Sequence, residues 1–497
     1  MVSTRAEIVT RRTYNRPKDT EGTQFETWEE TVDRVIKHQR WLWERAKTKR
    51  WHTETQKLTK EQEDELEELR VLFKSRKALP SGRTLWLGGT EVAKRREASM
   101  FNCSFLRVES VHDVVDSYWL LLQGAGVGFL PVVGTLNGFT RPVELEIIRS
   151  TKTEAGDKGN PDNVEWFTEG VPEGTKVGAH IKGARWHIRV GDSAEAWAKL
   201  PGKLLANKIP CEKLTLDFSE IRPAGTRLSS YGWISSGDEL IADAMSKIVR
   251  ILNLRNNRLL TSIDIMDIMN LLGSTLSSRR SAEICLVPYG DPEWVDFVHA
   301  KKNLGETPWR TQSNNSLLFY HKPSRRDLSE IFEAMMANGG SEPGLINAQA
   351  ALKRAPWFKG VNPCAEILLG NMSFCNLTEL NLAAFNGDPD GLKRAAYLIG
   401  RANYRQTCVN LVDGILQRAW HENNEFLRLC GVGLTGIVGW EKLYEPKALK
   451  NVMKAAGKGA TTMARELKLP MPKAVTTVKP SGTLSKIMDT TEGVHKP

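Results

Sequence analysis

The sequence predicts an α/β protein. From about residue 100 onward, apolar segments of strand length alternate with longer segments of helical periodicity. A region of about 80 residues ahead of them is helical in pattern. Composition agrees with a packed chain: of 497 residues, 40% are hydrophobic and 26% charged, unlike disordered, collagenous or fibrous proteins. Strands separated by helices of this length favour parallel pairing, because a parallel crossover needs a dozen or so residues to return to the same edge.

The elements follow in chain order. Trp28, Val32, Val35 and Ile36 recur at helical spacing and make one apolar face. Thr59 followed by Gln62 reads as a capping box that opens a second helix. Its first turns are acidic (Glu61, Glu63, Asp64, Glu65) and its last turn basic (Lys74, Arg76, Lys77), which complements the helix dipole. Pro80-Ser81-Gly82 is expected to end it. Residues 1–95 are therefore expected to form a helical cap on a larger unit spanning 96–497. Expected strands are Cys103–Val108, Ala282–Val287, Asn315–Tyr320, Gly344–Asn347, Phe374–Leu382 and Ala474–Val478. Expected helices are Leu240–Leu252, Asp264–Leu272, Leu328–Ala337 (stopped by Gly339-Gly340) and Leu392–Trp420. The stretch 141–210 breaks this rhythm, is rich in Gly, Asp and Lys around Ala155–Gly174, and is expected to be an insertion or flexible lobe.

Charge and cysteine usage narrow the function classes. There are 69 Lys+Arg against 59 Asp+Glu, a formal net charge of +10. The basic residues are scattered, as in Lys94-Arg95-Arg96, Lys301-Lys302 and Arg325-Arg326, rather than gathered in an arm, so direct DNA binding is not expected. No apolar run approaches 18 residues and Met-Val-Ser-Thr-Arg opens no signal sequence, so neither a membrane span nor secretion is expected. The seven cysteines (103, 211, 285, 364, 375, 408, 430) show no C-x-x-C pair and no disulfide framework. A cytoplasmic protein with reduced thiols and no metal site of its own is the expectation.

Three segments carry chemistry. In Asn362-Pro363-Cys364-Ala365-Glu366, alternate residues of an extended chain share a face, so an amide, a thiol and a carboxylate converge. Such a trio can hold a polar substrate, abstract with sulfur and move a proton. Cys375 follows 11 residues on (375 − 364), a distance suited to a hairpin return. Two buried cysteines acting as small hydrophobes are the competing reading. Asn102-Cys103 puts a further thiol at the start of a predicted strand. Thr476–Leu484 runs strand, polar turn, helix, and Ser481, Gly482 and Thr483 offer N–H groups and hydroxyls to a phosphate. An ordinary βα turn with Ser481 or Thr483 as N-cap remains open as well, since Walker A spacing is absent.

Taken in order, these segments resemble the ribonucleotide reductases, specifically the monomeric, adenosylcobalamin-dependent (class II) ribonucleoside-triphosphate reductases. The resemblance runs through Pro80-Ser81-Gly82-Arg83-Thr84-Leu85-Trp86, Asn102-Cys103, Gly124-Ala125-Gly126-Val127-Gly128-Phe129 and Ile221-Arg222-Pro223-Ala224-Gly225. It continues in Arg279-Arg280-Ser281-Ala282-Glu283, Ser313-Asn314-Asn315-Ser316, the Asn362–Glu366 loop with Cys375, and Thr476–Thr483 with Glu492-Gly493-Val494-His495.

The resemblance implies a ten-stranded α/β barrel, its C-terminal strands missing from this chain, with Cys364 at the tip of a loop threaded through the centre. It implies that Cys364 becomes a thiyl radical and abstracts the 3′ hydrogen of a ribonucleoside triphosphate. Glu366 would act as base on the 3′ hydroxyl, with Asn362 on the ribose. Cys103 and Cys375 would supply two electrons and end as a disulfide, a geometry that adjacent strands permit. Ser81, Asn102, Ser481, Gly482 and Thr483 would bind substrate. Ser278, Arg279, Arg280 and Ser281 would relay the identity of a deoxynucleoside triphosphate effector bound at the 141–210 insertion. The implied cofactor is adenosylcobalamin and the implied reductant a thioredoxin-like or other dithiol. Relatives continue past Glu492–His495, so a complementing C-terminal polypeptide is expected. The alternatives are the large subunit of a diiron-dependent (class I) ribonucleoside-diphosphate reductase, and a non-catalytic nucleotide- or nucleic-acid-binding protein.

Overall fold

A computed structural model of the chain describes residues 2–19, 22–48, 55–153, 161–168, 184–206, 211–228, 231–276 and 282–495. The chain opens with helices α1 (Thr4–Thr13), α2 (Trp28–Thr48) and α3 (Lys60–Lys74). The expected apolar stripe of α2 is buried at Val32, Val35 and Ile36 and extends to Leu42 and Trp43. The capping box of α3 forms, with Thr59 and Gln62 each accepting from the other's backbone N–H. Its expected end does not hold: α3 stops at Ser75. Arg76 turns the chain with φ 57, which frees Ala78–Pro80 to pair as strand β1. Ser81 then caps a new short helix, α4 (Gly82–Leu87), by accepting from the Thr84 N–H. Helix α5 (Glu91–Arg95) closes this region.

The sheet begins with β2 (Cys103–Val108), within the expected bounds, followed by α6 (Val111–Leu122) and β3 (Gly126–Pro131). The stretch expected to be irregular is a small sheet instead. Its strands are β4 (Glu144–Ile148), β5 (Val164–Thr168), β6 (Arg185–Arg189) and β7 (Lys213–Asp217), with helix α7 (Ala194–Ala206) between the last two. Their order is β4-β7-β6-β5, parallel except for β5. The chain then passes through α8 (Glu239–Leu254), α9 (Ser262–Ser274), β8 (Glu283–Pro288), α10 (Trp294–His299), β9 (Ser313–Phe319), α11 (Arg325–Asn338), β10 (Gly344–Asn347) and α12 (Ala348–Arg354). Gly339 ends α11 in the left-handed conformation that favours glycine.

A two-stranded hairpin follows, β11 (Gly360–Val361) with β12 (Leu368–Leu369). Next come β13 (Ser373–Cys375), β14 (Leu377–Asn381), α13 (Pro389–Arg405), α14 (Arg418–Leu427), β15 (Gly431–Thr435), α15 (Pro446–Leu467), β16 (Thr476–Thr477) and α16 (Thr483–Ile487). The single strand expected over Phe374–Leu382 divides at Asn376 between two sheets. Asn376 holds the break by donating to Asn403 O (2.7 Å) and accepting from Gln406 Nε2 (2.7 Å). The helix expected over Leu392–Trp420 is likewise two, because Asp413 accepts from the backbone N–H groups of Ile415 and Leu416 and fixes a turn.

The six-stranded sheet has the order β10-β9-β8-β3-β2-β13, and its first five strands are parallel. β13 pairs antiparallel with β2 and carries the chain into the second sheet, β1-β14-β15-β16, where β14, β15 and β16 are parallel. Two parallel half-sheets thus meet back to back at β2 and β13, an α/β architecture in two opposed halves. One large core lies under α6, α8 and α9. A second joins α2 and α3 to α13 and α15.

Candidate active site

The β11–β12 hairpin crosses the face of β2 and β3. It lies so close that a Cβ built on Gly128 would sit 2.0 Å from the Val361 carbonyl oxygen, and one on Gly126 would sit 3.0 Å from Pro363 Cγ and 3.2 Å from Cys103 Sγ. Only glycine at these positions of β3 leaves room for the hairpin. Asn314 on β9 pins the tip by donating from Nδ2 to Pro363 O at 3.0 Å.

The tip is a turn and not the extended segment expected from alternation. Ala365 N–H donates to Asn362 O (2.8 Å), and Ala365 takes φ 62, a left-handed conformation that costs a residue with a Cβ. Within that turn Asn362 Nδ2 donates to Glu366 Oε2 at 2.7 Å, and Ile367 N–H donates to Asn362 Oδ1 at 2.9 Å. Asn362 is buried and Cys364 exposed at the apex. The turn, rather than strand alternation, brings amide and carboxylate together.

Beside the hairpin tip, Cys103 and Cys375 face each other in the antiparallel register of β2 and β13. No disulfide joins them. The hydrogen bond from Cys375 holds the Cys103 thiol below its usual range, with Asn362 and the Lys479 charge acting the same way against burial and Glu366. Burial, and then the hydrogen bond to Cys103, push Cys375 well up. The pair is therefore asymmetric, with Cys103 the sulfur that more readily carries charge.

The polar turn lies on a third side. Ser481 and Gly482 take φ 54 and 63, and Thr483 starts α16. Tyr14, just past α1, bridges the two turns: its hydroxyl bonds Thr483 Oγ1, and a Cβ on Gly82 would sit 2.9 Å from it. The Ser481 hydroxyl acts on the Glu379 carboxylate, while Asn102 Oδ1 is buried without a hydrogen-bond partner. Such an atom costs free energy unless a ligand or water meets it. Ser81 is occupied as the cap of α4. The Ser278–Ser281 segment lies outside the described residues.

Four residues absent from the expected site belong to this cluster. Glu379, fully buried on β14, lies 3.0 Å from the ammonium of Lys479. Burial raises the Glu379 carboxyl; it works against the Lys479 ammonium, which the attraction of Glu379 nevertheless raises. Arg83, pushed down to about 10 by burial, lies near Cys103 and Tyr14 and donates to Gly124 O. Tyr14 is the fourth. A glutamate inside the apolar run Leu377-Thr378-Glu379-Leu380, and a lysine next to the phosphate-type turn, were visible signals.

A thiol at the apex of a hairpin laid across a sheet, with two facing thiols beside its tip, is the kind of arrangement a thiol-dependent α/β oxidoreductase requires. A family model described as the ribonucleotide reductase alpha domain matches residues 2–90. The adenosylcobalamin-dependent ribonucleoside-triphosphate reductase of Lactobacillus gasseri is 27% identical over 98% of this chain and 73% of its own length. The enzyme of the same name from Lactobacillus helveticus is 28% identical over 98% and 73%, and that from Lactobacillus leichmannii 26% over 98% and 72%. The crystal structure of a B12-dependent (class II) ribonucleotide reductase shares the fold with a TM-score of 0.76 at 22% identity, covering 98% of this chain and 74% of that one. Over nearly its whole length the chain is thus similar to adenosylcobalamin-dependent ribonucleoside-triphosphate reductases, and it shares the fold of a class II ribonucleotide reductase.

Proposed function

We propose that the protein reduces ribonucleoside triphosphates to 2′-deoxyribonucleoside triphosphates with adenosylcobalamin as cofactor. The observation that carries this reading is the pairing of Cys103 with Cys375 beside the hairpin that presents Cys364. The names of the relatives support both the triphosphate substrate and the cofactor. The tip suits a radical source, because Cys364 and Ala365 are exposed above buried Asn362 and Pro363, leaving the sulfur open to a group bound over it. Adenosylcobalamin, when bound, supplies the radical that the Cys364 sulfur takes up.

The chain's own residues do the rest. Cys364 draws the 3′ hydrogen, and Glu366, held by Asn362, accepts the 3′ hydroxyl proton. Cys103 and Cys375 deliver two electrons and two hydrogens: the C2′–O bond breaks, the oxygen leaves as water, carbon gains hydrogen and an S–S bond forms. The unpartnered Asn102 oxygen, with Ser481, Gly482, Thr483 and the nearby Ser81 turn, holds the nucleotide.

The finer partners are part of the same proposal. A pair holding two electrons needs an external dithiol after each turnover. A deoxynucleotide effector would take the cavity of about 930 Å³ between α6 and the small sheet, where Phe167 and Trp186 offer aromatic surface and a phosphate would compete with Asp162 and Glu165 for Lys199 and Lys203. A complementing polypeptide would add strands beyond β16, which has no outer partner among the described residues. Among those residues no helix is long and apolar enough to cross a membrane, and a cytoplasmic location suits a triphosphate substrate.

The test measures deoxynucleotide formation with dithiothreitol, with and without adenosylcobalamin, in the wild type and Cys364→Ser. Turnover that needs both cofactor and thiol supports the reading. Turnover without cobalamin or without that thiol overturns it, as does no turnover with or without a polypeptide that completes the β16 edge.

A further inference from the structure

One helix joins the wall of the large cavity to the strand that carries Cys375. Part of that wall is formed by Val111 and Val115 of α6 and by Gly414 and Ile415 of the turn before α14. The turn is tied to α6 on both sides of these lining residues. Asp413, ahead of them, accepts from Trp119 Nε1 at 2.8 Å. Gln417, behind them, donates from Nε2 to Asp113 and Asp116 at 2.9 and 2.8 Å. Trp420, in the first turn of α14 and fully buried, donates from Nε1 to the same Asp116 oxygen at 2.8 Å. Trp420 and Asn423 are three residues apart, so they share a face of the helix, and both grip β13 or its approach. The Trp420 ring packs on Phe374 with centroids 4.7 Å apart, and Phe374 stacks on Phe101 at 4.5 Å. Asn423 donates to Asn371 O at 2.9 Å, and Asn371 Oδ1 accepts from the Arg107 N–H of β2 at 2.7 Å. Phe374 and Cys375 are neighbours on β13 and point to opposite faces of the sheet. Phe374 enters the core under α6, and Cys375 the core on the hairpin side.

We propose that α14 couples occupancy of the cavity to the redox state of the Cys103–Cys375 pair, with Trp420 as its positioning residue. The inference rests on the readings of the cavity as a deoxynucleotide site and of the two cysteines as the reducing pair. Closing the S–S bond brings the sulfurs to about 2 Å, which draws β13 toward β2 where Cys375 faces Cys103. Phe374 moves with its neighbour, and an interior packed at crystal density transmits such a shift instead of absorbing it. Trp420 receives it from Phe374, and the hydrogen bonds of Trp420 and Gln417 on Asp116 pass it to the turn that presents Gly414 and Ile415 to the cavity. The coupling is reciprocal by thermodynamic necessity: a nucleotide that binds one redox form of the pair more tightly favours that form by the same factor.

The test measures binding of the four common deoxynucleoside triphosphates to the full chain by equilibrium dialysis, in a Cys364→Ser background that silences the exposed thiol. Each protein is measured reduced by dithiothreitol and again after diamide, which takes up the two hydrogens and two electrons the pair releases as it closes. Peptide mass spectrometry confirms the Cys103–Cys375 bond, and loss of binding in Lys203→Glu assigns the nucleotide to the cavity. With Trp420 intact, the two forms are expected to differ in affinity by about fivefold or more for at least one nucleotide. Trp420→Phe removes the N–H held by Asp116 and part of the ring over Phe374, and is expected to bring the ratio to about one while the reduced form still binds. Phe374→Leu breaks the same contact from the strand side and is expected to do likewise. Equal affinities with Trp420 intact overturn the inference, as does an unchanged ratio in whichever variant keeps a wild-type melt; the cavity then remains a nucleotide site. Absence of binding, or binding that ignores Lys203→Glu, instead overturns the cavity reading, and failure of diamide to form the Cys103–Cys375 bond overturns the reducing pair.

Discussion

Replacing Gly128 with alanine tests whether the hairpin must lie directly on the sheet. The new methyl would sit 2.0 Å from Val361 O, where ordinary contact begins at 3.4 Å, so about 1.4 Å (3.4 less 2.0) must be found. The obstacle is backbone rather than a flexible side chain, and Ile284 and Phe105 close the other directions at 3.1 and 3.2 Å. The hairpin therefore has to lift. Overpacking of this kind costs about 1–3 kcal/mol, which a 497-residue chain can absorb while staying folded. The functional effect is larger, because a 1 Å misplacement of a reacting group costs on the order of a hundredfold in rate. The expected outcome is a melt a few degrees lower with deoxynucleotide formation reduced about a hundredfold. Gly457→Ala on α15 is the control, since a Cβ there meets nothing within 4 Å and should leave rate and fold intact. Wild-type turnover by Gly128→Ala would refute the close placement of Cys364 over β3.

Glu65→Gln removes the carboxylate shared by Arg401 and Arg405, each 2.7 Å away and almost wholly buried. Arg401 keeps Glu466 at 2.6 Å, but Arg405 loses its carboxylate, which should destabilise the chain by about 3 kcal/mol, read by urea titration; no loss would show the network to be dispensable. Asp116, which accepts from Trp420 Nε1 and Gln417 Nε2, is pushed up to about 7 by burial. Its folded-state value lies above the unfolded one, so its contribution to stability is present at pH 4 and lost as pH rises toward 7. Asp116→Asn should flatten that decline in a series of melts, and an identical slope would contradict it. Tyr14→Phe deletes the hydroxyl between the Gly82 and Thr483 turns. Loss of one hydrogen bond of about 1 kcal/mol should raise KM for the triphosphate about fivefold with kcat little changed, whereas an unchanged KM would place Tyr14 outside the nucleotide site.

What the sequence made legible follows from locality. The bounds of β2 and β10, the capping box of α3 and the glycine stop of α11 are set by residues within one or two turns of each other. The small sheet escaped notice because two of its strands are largely exposed: β4 alternates exposed and half-buried residues, and β6 reads Arg-Trp-His-Ile-Arg with only two of five residues buried. The division at Asn376 escaped because its cause lies on α13 and just beyond it, in Asn403 and Gln406. The site residues Asn362, Cys364, Glu366, Cys103 and Cys375 stand out in sequence through residue type and order. Glu379 and Lys479 left only the faint signals of a carboxylate in an apolar run and a lysine beside the polar turn, because their pairing depends on burial and on a contact 100 residues apart in sequence.

The helical region bears on the site more directly than a cap would. Tyr14 and the buried face of α2 share one apolar cluster with α13, α15 and Leu484 of α16, so the N-terminal helices and the second half-sheet fold around a common core. The ends of that core touch as well: Ser3 N–H donates to Asp489 at 2.8 Å, and Arg5 lies 3.8 Å from the same carboxylate. Through these contacts α1 and α16 hold each other, and the Ser481–Thr483 turn is fixed from a segment more than 460 residues away in sequence. A truncation that removes α1 should therefore loosen the nucleotide turn before it disturbs the Cys103–Cys375 pair, whose own contacts come from β2, β13 and the hairpin. The structure thus separates a polar turn held by the N-terminal helices from a thiol pair held by the sheet, and in the proposed reaction the first serves the nucleotide and the second the reduction.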